Sequence, residues 1–343
     1  MKLNATYIKI RDKWWGLPLF LPSLILPIFA HINTFAHISS GEVFLFYLPL
    51  ALMISMMMFF SWAALPGIAL GIFVRKYAEL GFYETLSLTA NFIIIIILCW
   101  GGYRVFTPRR NNVSHGDSRL ISQRLFWQIV FPATLFLILF QFAAFVGLLA
   151  SRENLVGVMP FNLGTLINYQ ALLVGNLIGV PLCYFIIRVV RNPFYLRSYY
   201  SQLKQQVDAK VTKKEFAIWL LALGALLLLL CMPLNEKSTI FSTNYTLSLL
   251  LPLMMWGAMR YGYKLISLLW AVVLMISIHS YQNYIPIYPG YTTQLTITSS
   301  SYLVFSFIVN YMAVLATRQR AVVRRIPVSY THLRAHETLM NLV

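Results

Sequence analysis

VFLFYLPLALMISMMMFFSWAALPGIALGIFV, residues 43–74, decides how this chain is threaded. The run holds 32 residues without a charge after Glu42. A membrane-crossing helix needs about 20 mostly apolar residues. The stretch is therefore long for one span and tight for two. Which reading is right fixes the side on which every later loop falls.

Composition already places the chain in a bilayer. Of 343 residues, 59% are hydrophobic and 11% charged, with a mean hydropathy of +0.70. Soluble domains carry about 25% charged residues. Candidate spans are Trp14–Ile32, Val43–Phe60, Leu65–Phe73, Thr85–Val105, Leu125–Ala150, Leu163–Ile187, Phe216–Pro233, Tyr245–Met259, Leu265–His279 and Tyr302–Thr317. The third is short as written and is expected to begin nearer Trp62. A cleaved leader ending near Ala36 is the weaker reading of the first, because the apolar run is too long.

Charge settles the ambiguous run. With ten spans and the N-terminus inside, 22 cations fall on inner segments. They run from Lys2, Lys9, Arg11 and Lys13 to Arg318, Arg320, Arg324 and Arg325. Only Arg75, Lys76, Arg152 and Lys237 fall outside. Merging residues 43–74 into one helix would put the four N-terminal cations outside, against the inside bias of Lys and Arg. The expectation is an all-α polytopic bundle of about ten transmembrane helices with both termini cytoplasmic. The alternative is eight spans plus short or re-entrant segments. Trp14, Trp15 and the tyrosines of YQNYIPIYPGY (281–291) sit where interfacial aromatics belong.

Chemistry is sparse. All ten acids lie in loops or at span ends, which weakens a proton-coupled pump, since intramembrane carboxylates mark proton relays. Cys99, Cys183 and Cys231 are far apart in apolar runs and suggest neither a disulfide framework nor a metal cluster. His31, His37 and His279 share one side, yet no i, i+4 histidine pair lies inside the spans to hold haem. The chain has no P-loop, GxSxG or HExxH, and HETLM (336–340) places Met340 where the second zinc histidine would stand. No catalytic residue and no cofactor or metal is therefore expected in this chain, and no nucleic acid partner. Its expected partners are the lipid bilayer, an unknown signal molecule and, through small-residue faces, a homodimer.

Uncharged polar residues do enter the spans: Asn91, Gln128, Gln141, Asn168, Gln170, Asn176 and Asn310. The favoured reading is interhelical hydrogen bonding, about 1 kcal/mol each. The sharper one is a ligand-sensing pocket, for which Asn168, Gln170 and Asn176 of LGTLINYQALLVGNLIG (163–179) are the first choice. Gly67/Gly71 and Gly175/Gly179 form two GxxxG patterns, which let helix backbones approach closely, within the monomer or across a dimer. The loop Arg188–Phe216 carries seven cations and two acids. Its middle, 195–211, has the make-up of a surface helix against anionic lipid, although a solvated connector is the favoured reading.

WAALPGIALGIFV (Trp62–Val74), followed by LTANFIIIIILCWGGYRVF, resembles a bacterial membrane-associated sensor domain, the first type named in its series (MASE). SYLVFSFIVNYMAVLAT followed by RQRAVVRRI resembles a last span continuing into a signalling linker. Residues 1–326 as a whole are similar to the N-terminal half of an inner-membrane cyclic-di-GMP phosphodiesterase. That resemblance implies a sensor (1–317), a cytoplasmic linker (318–326), then degenerate GGDEF and catalytic EAL domains. The latter would hold divalent metal through several carboxylates. No residue here matches those positions, so hydrolysis is expected only from domains beyond this chain. The sequence departs from the family at MMMFFSW (56–62), where a Gly-rich basic turn is usual.

The last segment, PVSYTHLRAHETLMNLV (327–343), matches one reading frame of a transposase-type sequencing-library adaptor, CTGTCTCTTATACACATCT, which reads Val-Ser-Tyr-Thr-His. His332, His336 and Glu337 are then expected to have no function. Two other readings compete with the sensor: a stand-alone transporter of a neutral solute, expected to show repeats with broken helices, and a membrane interaction scaffold built on the glycine faces.

Overall fold

The computed structural model describes residue 11 and residues 13–32, 35–38, 41–106, 129–151, 163–231, 243–283 and 291–340. Eleven helices appear among them: α1 (Leu17–Ile32), α2 (Leu48–Phe60), α3 (Leu65–Leu80), α4 (Phe82–Phe106), α5 (Phe131–Ser151), α6 (Leu163–Arg191), α7 (Tyr195–Gln206), α8 (Lys213–Cys231), α9 (Thr243–Tyr261), α10 (Tyr263–Asn283) and α11 (Tyr291–Met340). All but α7 are membrane helices. Among the described residues five segments are long and apolar enough to cross a bilayer on those grounds alone, and Leu17–Ile32 and Tyr263–His279 are apolar but shorter. Ile94, Leu98, Ile218, Leu221 and Leu228 point outward, the surface expected where the solvent is lipid.

Helix directions follow from contacts. Arg11 donates to the Arg191 carbonyl, so the start of α1 lies beside the end of α6. Along α6, Gly175 abuts Tyr47 and Gly179 abuts Leu48 and Ala51, so α2 runs parallel to α6. Gly67 abuts Pro18 and Leu19, and Gly71 abuts Pro22, Ser23 and Leu26, so α3 runs parallel to α1. The chain therefore reverses between α2 and α3. The reversal falls at the short 3-10 turn Ser61–Ala64, where Ser61 takes φ +53°. A non-glycine residue is uncommon there. The 32-residue run is thus two helices.

The ends of these helices differ from expectation. The second span was expected to be helical from Val43, but Val43 and Phe44 end a strand, the chain bends at Leu45, Tyr47 is extended, and α2 begins at Leu48. Pro49 sits in the first turn of α2, where its missing N–H has no intrahelical partner to lose. Before it, the outer loop forms a hairpin, β1 (Phe35–Ile38) with β2 (Gly41–Phe44), antiparallel with Phe35 opposite Phe44. The third span lengthens toward its C-terminus, to Leu80, rather than back to Trp62. Arg75 and Lys76 pair with Glu79 on that added turn. These i, i+3 and i, i+4 neighbours favour the helix.

Extended backbone at membrane depth survives only where protein satisfies it. Here the Phe44 N–H donates to Asn168 Oδ1 at 2.8 Å, and the Tyr47 N–H donates to the Ala171 carbonyl at 3.2 Å. Leu45, Phe46 and Tyr47 are buried. Gly175, one helical turn past Ala171, is what lets this strand lie against α6. A Cβ there would fall 2.6 Å from the Tyr47 carbonyl carbon.

Candidate functional site

The polar residues of α6 serve three different neighbours. Asn168 ties down the hairpin strand. Gln170 donates to Ser300 Oγ on α11 at 2.8 Å. Asn176 donates to the Ile129 carbonyl, at the start of α5, at 3.2 Å. The three side chains thus bond to three different parts of the chain. Elsewhere Gln141 reaches Thr165 at 3.4 Å, and Asn310 bonds back to Ser306 of its own helix at 2.8 Å. Gln128 lies outside the described residues. Both glycine pairs face helices of the same chain, Gly67 and Gly71 against α1, Gly175 and Gly179 against the start of α2. His31 is exposed, the His37 side chain and residues 284–290 lie outside what is described, and no group of three metal-capable side chains gathers among the described residues.

The densest polar arrangement lies on the basic face, which the charge bias makes cytoplasmic. Its centre is Arg320 on α11, just past the end of the expected tenth span. The guanidinium donates to the Arg260 carbonyl at 2.9 Å and to the Gln206 carbonyl, while Nε donates to Ala316 on its own helix at 3.1 Å. Gln206 ends α7 and Arg260 lies in the last turn of α9. Helix C-termini expose unpaired carbonyls and the negative end of the helix dipole. One cation thus clasps two such ends, with charge-assisted bonds.

Neighbouring residues close the arrangement. α9 and α10 are joined by Gly262 alone, at φ +83°. Glycine is required there twice, since a Cβ would also lie 2.8 Å from that of Gln206. The Gln206 side chain accepts the Lys264 N–H at 3.0 Å, and Thr317 Oγ1 accepts the Tyr263 N–H at 2.9 Å. Tyr199 of α7 donates to the Lys264 carbonyl at 2.7 Å. The Asp208 N–H reaches the Arg260 carbonyl at 2.9 Å, and Arg260 forms ion pairs with Asp208 at 3.4 Å and Glu215 at 3.7 Å. The Lys210 N–H, the Arg260 and Arg320 charges and the Arg260 hydrogen bond hold the Asp208 carboxyl below its ordinary range, against the opposing pull of burial.

The sequence placed Arg320 among linker cations without a partner for it. Its partners are main-chain carbonyls, which no side-chain pattern encodes. The one available signal was Tyr261-Gly262-Tyr263 between two spans, a turn too short to keep their ends apart. α11 itself continues unbroken from Tyr291 to Met340, so the clasp grips a rod that leaves the membrane.

A polytopic α-helical membrane domain, delivering one continuous helix to the cytoplasm through a clasp, is the class of protein that this fold defines. The chain belongs to the MASE1 family, which matches residues 15–320. It is 99% identical over 326 residues to cyclic di-GMP phosphodiesterase PdeF of Escherichia coli (strain K12), covering 95% of this chain and 44% of that protein. It is 23% identical over 281 residues to the probable cyclic di-GMP phosphodiesterase PdeA of the same organism, covering 80% of this chain and 37% of that protein. The chain thus spans less than half the length of the curated relatives it matches. No solved structure matches it.

Proposed function

We propose that residues 1–317 form the sensory part of a cyclic-di-GMP phosphodiesterase of the bacterial inner membrane. Residues 318–326 are the linker that carries its state to catalytic domains lying beyond this chain, and residues 327–343 are adaptor-derived. The 99% identity to a protein named for that activity supports the substrate. The Arg320 clasp on an unbroken α11 is the observation that carries the mechanism. A signal acting on the bundle shifts α11 against the ends of α7 and α9. Output then follows from the relative stability of clasped and unclasped states, since a signal can shift such an equilibrium only through different affinity for its two sides.

The test is cyclic-di-GMP hydrolysis by the full-length relative and by the present chain. The full-length protein is expected to hydrolyse it and Arg320→Gln to change that rate several-fold, with the membrane domain still folded. The present chain is expected to hydrolyse none. Activity in the present chain would refute the division of labour, and an unchanged rate in Arg320→Gln would refute the clasp. Re-reading the source DNA across the codon for Ile326 tests the tail: a frame running on into GGDEF-like sequence supports it.

A further inference from the structure

The cytoplasmic loops hold two kinds of cation. Arg197, Lys204, Lys210, Lys213 and Lys214 are exposed, as solvated inside-rule charges should be. Arg188 and Lys264 are half-buried in one cleft of about 90 Å³ between the end of α6, α7 and the start of α10. Its wall is aromatic. The Arg188 guanidinium lies 5.0 Å from the Tyr184 ring centroid and 5.5 Å from that of Tyr195, and the Lys264 ammonium lies 5.3 Å from that of Tyr199.

Burial first, and then the Arg188 charge, pulls the Lys264 ammonium below its ordinary pKa. Arg188 donates to the Tyr184 hydroxyl at 2.6 Å and Lys264 donates to Gln202, both neutral groups. Among the described residues no carboxylate pairs with either. Asp208 and Glu215 are engaged with Arg260 instead. Withdrawing two like charges from water costs free energy that neutral acceptors and ring faces offset only in part. A counter-charge entering the cleft removes that cost. The volume holds a few waters or one small anion.

We propose that this cleft binds a phosphate group, with Arg188 and Lys264 as its charged donors. A planar guanidinium with a mobile ammonium suits the several oxygens of a phosphate better than a single carboxylate. The cleft opens at the cytoplasmic interface, so the group arrives either as an anionic lipid headgroup or free in solution. α7 links the cleft to the clasp: Tyr199 and Gln202 line the one, and the Gln206 carbonyl holds Arg320 in the other. Phosphate occupancy therefore fixes the position of α7 under α11. The binding proposal stands independently of the enzymatic reading.

The experiment measures thermal unfolding of the whole chain in nanodiscs. One arm adds inorganic phosphate to phosphatidylcholine discs, against chloride at matched ionic strength. The other compares phosphatidylglycerol-containing discs with phosphatidylcholine discs without phosphate. Wild type is expected to be stabilised in at least one arm, and the arm that responds identifies the source. Arg188→Gln and Lys264→Gln are each expected to raise the concentration needed about tenfold. Gln202→Glu places a carboxylate beside Lys264 and is expected to abolish the response while leaving the protein folded. Lys210→Gln, an exposed cation, is expected to respond as wild type. No stabilisation of wild type in either arm overturns the proposal. So does an undiminished response in Gln202→Glu, which decides the matter if the Arg188 or Lys264 variants fail to fold.

Discussion

The two faces of this bundle are joined by different chemistry. Within the membrane, Gly175 of α6 lies against the Tyr47 main chain, which no change of rotamer could release, and Gly179 lies against Leu48 and Ala51 of α2. At the cytoplasmic face, α7, α9 and α11 meet through a long, charged side chain bonded to carbonyls. Close-packed apolar seams tolerate little displacement. Hydrogen bonds beside water are exchanged at small net cost, because water offers replacements. The first seam is built to hold one arrangement; the proposed function asks the second to admit two.

Substitutions at the glycines should break that contrast from the rigid side. Gly175→Leu is expected to have the largest effect, because the obstacle is the Tyr47 backbone. Overpacking ordinarily costs about 1–3 kcal/mol, and backbone that cannot move takes it higher. Detergent-extracted protein should lose its monodisperse peak in size-exclusion chromatography. Gly67→Ala is milder, with one methyl 2.5 Å from the Pro18 carbonyl oxygen. A loss of about 2 kcal/mol is expected, read as a lower unfolding midpoint with the peak retained. Equal tolerance of both changes would mean that neither seam is rigid.

Acid sharpens the contrast from the other side, with the smallest effect. The depressed Asp208 carboxyl contributes stability that is full above its ordinary value of 3.8 and is lost as pH falls through its lower folded value. Between wild type and Asp208→Asn, the stability gap at neutral pH should be under about 1 kcal/mol, the usual size for a partly exposed ion pair. It should close as pH falls from above 3.8 through the lower folded value. A gap that stays constant with pH would remove Asp208 from the electrostatics of the clasp.

The alternation of helices was legible because it rests on two additive quantities, apolar length and the side on which Lys and Arg fall. The split of residues 43–74 came from charge alone, and the Gly67 and Gly175 contacts give the same directions independently. What sequence did not reveal depends on main chain. Nothing in VFLFY announces an extended strand, since its apolar residues suit a helix or a strand equally. GxxxG foretells close approach without naming what approaches. Asn168, Gln170 and Asn176 share a span and so suggested one pocket, yet around the helix axis they point to a strand, to α11 and to α5. The clasp was hidden for the related reason that carbonyls have no letter in the alphabet.

The non-helical segment at residues 43–47 also has a consequence for how the chain is made. α2 has 13 residues, about 20 Å at 1.5 Å per residue, short of the roughly 30 Å hydrocarbon core. Its missing length is that segment, whose Phe44 and Tyr47 amides bond to α6, and Asn168 is 124 positions downstream of Phe44. During translation, then, Leu48–Phe60 can pack on α1 at once, but its α6 partner emerges only after three further spans. The fitting of the second span therefore waits on the sixth helix rather than following directly on its own synthesis.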